Sequence, residues 1–184
     1  MENHIDQPEI QQHEPDLGVR SKVILRNGTV FAMLLIIIML VTHMFRADLS
    51  EHTQRIAWGE YGLLLVAIIV TQLDLRARVY DGRILFGQAF TSGMLFVAFV
   101  AAVFSVFTLV FYLFIGPGVL DEMVVIAENS LRERGLTEDQ IDAQMQFSEK
   151  IFTPVGMFIM VIIGYLFVGT IMSLIASLFT QRNR

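Results

Sequence analysis

Between Ala89 and Ile115 the chain runs for 27 residues without one charged side chain. At about 1.5 Å per residue, a helix of that length exceeds a hydrocarbon core of roughly 30 Å, so it must tilt or protrude. Lipid offers backbone amides no water, and a segment crossing it must therefore satisfy them internally, as a helix does. Three further stretches share this character. They run from about Asn27 to Phe45, with the wholly apolar centre Val30 to Val41, from about Trp58 to Leu73, and from about Pro154 to Phe179. The reading is an all-α, polytopic membrane protein with four transmembrane helices.

Composition agrees with a lipid solvent. Hydrophobic residues make up 54% of the chain, too many for one modest soluble domain, and the 15 Phe and 10 Met sit in long runs. Without cysteine there is no disulfide, thiolate nucleophile or Cys-ligated metal, and the redox compartment is unreadable. The net charge is −5, and the 13 basic residues are scattered in twos and threes, so no stripe exists to neutralise a nucleic-acid backbone.

The pieces between the spans differ in kind. Residues 1–20 are polar and acidic, with Glu2, Asp6, Glu9, Glu14 and Asp16 ahead of Arg20, and read as a flexible tail before a four-helix transmembrane domain over 21–184. That start does not suit a secretory signal, so the first apolar run is expected to be retained. Arg26 and Arg46 bracket the first span, where long cationic side chains reach the head groups. Trp58 and Tyr61 stand at the start of the second, as amphipathic rings do at an interface, and Tyr80-Asp81-Gly82 reads as a turn. Gly116-Pro117-Gly118 breaks the third.

Residues 119–151 are polar enough to leave the bilayer yet helical in pattern. Leu120, Met123, Val124, Ala127 and Leu131 recur at helical spacing, and Gly135 supplies a stop. Thr137 and Gln140 form a capping pair for a second helix with Ile141, Met145 and Phe152 on its apolar side. This amphipathic helical hairpin between transmembrane helices 3 and 4 needs cover from itself, the membrane surface or a partner.

Counting Lys and Arg by alternate connections sets the orientation. Arg20, Lys22, Arg26, Arg76, Arg78, Arg83, Arg182 and Arg184 fall on one side, against Arg46, Arg55, Arg132, Arg134 and Lys150 on the other. Both termini are expected in the cytoplasm, with the anionic hairpin outside.

From Asp81 onward the chain resembles the DUF4199 family, uncharacterised four-span membrane proteins found mainly in one large group of Gram-negative bacteria. The carrying residues are Gly82-x-Ile84-x-Phe86-x-x-Ala89-Phe90-x-x-Gly93, the Phe-Tyr-rich exit through Ile115-x-Pro117, the hairpin turn Gly135-Leu136-Thr137-Glu138-Asp139-Gln140-Ile141, and Met172 to Leu178 before a basic end. The resemblance implies four spans and a bacterial inner-membrane address. It implies no activity.

Candidate chemistry is sparse. Ionisable groups are costly at mid-span and usually mark an ion or proton path; here the nearest are His43, Glu60 and Asp74, all at span ends. His43 and Glu60 fall at similar depth if the first two spans form an antiparallel hairpin, which makes them a candidate polar pair at the membrane interface. The simpler reading is two side chains reaching head groups. His4, His13, His43 and His52 are too dispersed for a metal, and Ser173 and Ser177 lack a base, so no catalytic, cofactor or metal residue is expected. Gly169, Ser173 and Ser177 recur every four residues on the fourth span, and Ala98, Ala101, Ser105 and Thr108 form a comparable row on the third. Small rows let helices approach closely, within one molecule by preference or between two. Phe104, Phe107, Phe111 and Phe114 make a stripe that fits a quinone or an acyl chain, although core or lipid-facing phenylalanine is commoner.

The expectation is a non-catalytic accessory or structural subunit, or an assembly factor, working through helix packing and the hairpin among other membrane subunits or by self-association. The alternative is a small oligomeric transporter or channel.

Overall fold

A computed structural model describes residues 17–45 and 53–182, with the side chains of all but 53–57. Six helices follow one another: α1 (Leu17–Met44), α2 (Thr53–Arg78), α3 (Phe86–Val110), α4 (Val119–Glu133), α5 (Glu138–Ile151) and α6 (Pro154–Thr180). No strand occurs among the described residues. The helices α1, α2, α3 and α6 are each long and apolar enough to cross a membrane.

These four helices form one bundle. α3 packs most extensively on α6 and next on α1, while α2 fills the remaining side against α6 and α1. The core is centred on Phe96, Val97 and Val100 of α3, with Phe31 and Leu35 from α1, Leu64, Ile68 and Leu75 from α2, and Ala176 from α6. Elsewhere the surface is apolar: Val30, Val66, Phe167 and Phe179 are all exposed. Water would penalise that exposure, whereas hydrocarbon does not.

Helix ends extend beyond the apolar runs. α1 starts at Leu17, inside the segment read as tail, because Val19, Val23 and Ile24 pack into the core. Residues 1–16, with His4 and His13, and residues 46–52, with Arg46 and His52, lie outside the described residues. The Tyr80-Asp81-Gly82 turn is present, with Asp81 and Gly82 in the left-handed region at φ 47° and 82°.

α3 ends in a five-residue π turn, Phe111–Ile115. Gly116 donates its amide to the Phe111 carbonyl at 2.9 Å and Pro117 cannot continue the ladder, so the chain leaves the bundle there. Re-entry is through Thr153, whose Oγ1 accepts from the Gly156 amide at 3.0 Å, and Pro154 occupies the first turn, where no intrahelical donor is needed.

The hairpin covers part of its own apolar surface. Leu131, Ile141 and Met145 form a small core with Val124, Ala127 and Leu136. The base of α4 is anchored differently: Leu120 joins Phe111 and Tyr112, with Met39, Met123 and Met157 around them. Gln140 accepts the Thr137 amide at 3.1 Å, which gives α5 its capped start. Arg132 bridges the two helices, donating to Glu138 at 2.6 Å and to Glu128 at 2.9 Å. Those hydrogen bonds, first to Glu128 and then to Glu138, push the guanidinium pKa upward.

Candidate functional site

The most developed polar arrangement in the spans is a clamp where α2, α3 and α6 meet. Gln72 is fully buried on α2. Its Nε2 donates to the Ala89 carbonyl and to Ser177 Oγ, each at 3.0 Å, and its Oε1 accepts from the Thr180 hydroxyl at 2.7 Å. Ser177 Oγ in turn donates to the Ser173 carbonyl at 2.6 Å, and Ser173 Oγ donates to the Phe90 carbonyl at 3.1 Å. A polar group carried into lipid is costly unless bonded, and here both ends of the amide are bonded.

Small residues make the clamp reachable. A Cβ on Gly169 would lie 2.3 Å from Val97 Cγ1, and one on Gly93 would lie 2.2 Å from Ser173 Oγ. Only glycine therefore permits α3 and α6 to come this close. Gly169, Ser173 and Ser177 are buried in this seam. On α3, Ala101, Ser105 and Thr108 are buried too, but Ala98 is exposed and does not belong with them. One residue is about 100° of helix, so Ala98 turns away as its neighbour Val97 meets Gly169. The hydroxyls of Ser105 and Thr108 bond back to the Ala102 and Phe104 carbonyls, at 3.0 and 2.9 Å.

A second polar set closes the same end of the bundle. Asp74, with a side chain 17% exposed, receives Arg26 Nη2 and Arg78 Nε, each at 2.5 Å. Asn27 Nδ2 donates toward Thr71 Oγ1 at 3.4 Å, and Arg76 Nη1 caps the end of α6 through the Thr180 carbonyl at 3.2 Å. Arg26 is thus held by Asp74.

His43 and Glu60 sit at the opposite end. The His43 ring meets Phe111 edge-on with centroids 5.0 Å apart. Glu60 is half-buried near the start of α2, and no ion pair joins it to His43 among the described residues. Trp58 and Tyr61 stack edge to face at 6.2 Å close by. The phenylalanine stripe divides: Phe104 and Phe111 are buried, Phe107 packs beside them, and Phe114 is 77% exposed because the wider π turn rotates it off the line. Among the described residues no group of three His, Cys, Asp or Glu side chains comes together as a metal would need.

Sequence reasoning missed Gln72, Thr180 and the Asp74 pairings. The signal was present: Gln72 is an amide at the end of the apolar run Leu63 to Val70, where an unbonded polar group is expensive and so announces a partner.

Fold and seam together define a multi-pass helical membrane protein whose bundle is joined by small residues and a buried amide clamp. The chain belongs to the DUF4199 family, described as a protein of unknown function, whose model matches residues 26–182. No curated protein and no solved structure matches the chain.

Proposed function

We propose that this protein is a non-catalytic subunit or assembly factor of a larger complex in the bacterial inner membrane, with both termini cytoplasmic and the hairpin outside. The observation that carries the reading is the hairpin itself. It is rooted on the bundle through Leu120 and braced by Arg132, yet Val125, Ile126 and Phe147 are 55%, 66% and 68% exposed on it. Its eight carboxylates, including Asp121, Glu122 and Asp142, face three basic residues. Large apolar side chains on an acidic projection suit a partner with a basic, apolar-edged surface. Within the spans, by contrast, Gln72, Ser173, Ser177 and Thr180 are engaged in holding helices together.

A photo-crosslinker in place of Phe147, followed by purification in mild detergent and mass spectrometry, tests this. The expected product is one membrane-protein adduct that disappears when Ile126 is changed to glutamate. Recovery only as an uncrosslinked monomer would refute it. Solute flux in proteoliposomes, abolished by His43→Ala or Glu60→Ala, would instead establish a transporter or channel.

A further inference from the structure

Between α1 and α2 the bundle carries an open lateral cleft of about 260 Å³, lined by Val30, Leu34, Leu63 and Val66 and ending at Asn27 and Thr71. It lies within the spans, and Val30 and Val66 are 68% and 56% exposed. Asn27 to Leu34 covers about 10 Å of helix, within the depth of one leaflet, about half of a 30 Å core.

The polar mouth of this cleft carries surplus positive charge. Asp74 is shared by Arg26 and Arg78, which leaves one guanidinium uncompensated. Arg20 adds another. It precedes Asn27 by seven residues, so it falls on the same stripe of α1 about two turns further out. Its Nε and Nη2 are enclosed and have no hydrogen-bond partner among the described residues. Enclosed charged donors without an acceptor are costly, and a guanidinium is matched in shape and charge by a phosphate.

We propose that the cleft binds an anionic glycerophospholipid, with one acyl chain along Val30, Leu34, Leu63 and Val66 and the phosphate at Arg20. A second copy of the chain is disfavoured as occupant. The cleft, about 260 Å³, admits an acyl chain but not a helix about 10 Å across, and the described residues at this end, Arg20, Lys22, Arg26, Arg76, Arg78, Arg83 and Arg182 against Asp74 and Asp81, carry surplus positive charge. An anionic head group takes up that charge and the cleft shelters its chain. The inference stands apart from the accessory role, because it concerns the opposite end from the hairpin.

The test is native mass spectrometry of the full chain from mild detergent, equilibrated with phosphatidylglycerol or phosphatidylcholine. The wild type should retain phosphatidylglycerol at least about tenfold better, as expected for charge-assisted hydrogen bonds. Arg20→Gln should remove the preference, and Val66→Trp, which fills the cleft without altering charge, should lower retention of phosphatidylglycerol. Arg134→Ala, in the hairpin, should change neither, and inorganic phosphate should not compete. Unaltered thermal melting of Arg20→Gln shows that it is folded; should it fail to fold, Val66→Trp carries the test alone. Equal retention of both lipids, unchanged binding by Val66→Trp, displacement by free phosphate, or a lipid-free dimer would each overturn the proposal.

Discussion

Gly169 and Gln72 hold the bundle together in opposite ways, one by being absent and one by being bonded. Gly169→Val adds atoms where Val97 already stands within 2.3 Å of a Cβ, so α3 and α6 must separate. A loss of about 1–3 kcal/mol is expected, the usual range for overpacking, read as a lower melting temperature in detergent. An unchanged melting point would mean the seam is looser than described. Gln72→Leu keeps the bulk but removes bonds to Ala89, Ser177 and Thr180. Hydrogen bonds between membrane helices average about 0.6 kcal/mol, so a loss of about 1–2 kcal/mol is expected by reversible unfolding. Stabilisation would show that the amide is a burden on the bundle. The small row on α6 was legible in the sequence because its period of four is a helical face. Ala98 was misplaced on α3 because alanine is small wherever it sits, and residue type alone does not show which of several small residues meets the partner helix.

At the scale of elements, hydropathy located the four spans but cut α1 about ten residues short at its start. The first three turns of α1 carry Arg20, Lys22 and Arg26, which lower the hydropathy while Val19, Val23 and Ile24 still pack inward. A helix does not end where lipid ends, and an average over both faces cannot register one buried face. The two hairpin helices were readable, since outside lipid the contrast between apolar and charged positions is strong, but Phe152, expected on the apolar side of α5, follows its end at Ile151 and stays out of the hairpin core. The ion pairs were not, because pairing of Arg26 with Asp74 or Arg132 with Glu138 depends on how separate helices lie. Arg132→Ala should raise amide exchange across 128–141 while leaving α3 and α6 protected, as measured by hydrogen–deuterium exchange. Exchange that rises equally in the bundle would show that the hairpin is not an independent unit.

In the molecule as a whole, polarity is arranged by depth. Apolar side chains face outward along four helices, polar ones are bonded inside, and charges gather at the ends and on the hairpin. Such an arrangement is stable only with lipid around the middle. It also requires an even number of crossings, with the termini on one side and the hairpin on the other. The chain has no cysteine, so single cysteines report location without background. The decisive measurement is labelling of intact cells with a membrane-impermeant maleimide, using His4→Cys, Asn129→Cys and Asn183→Cys. Only the cysteine at 129 is expected to react before lysis, and the other two after it. Reaction of 129 and 183 from the same side would contradict the four-span arrangement.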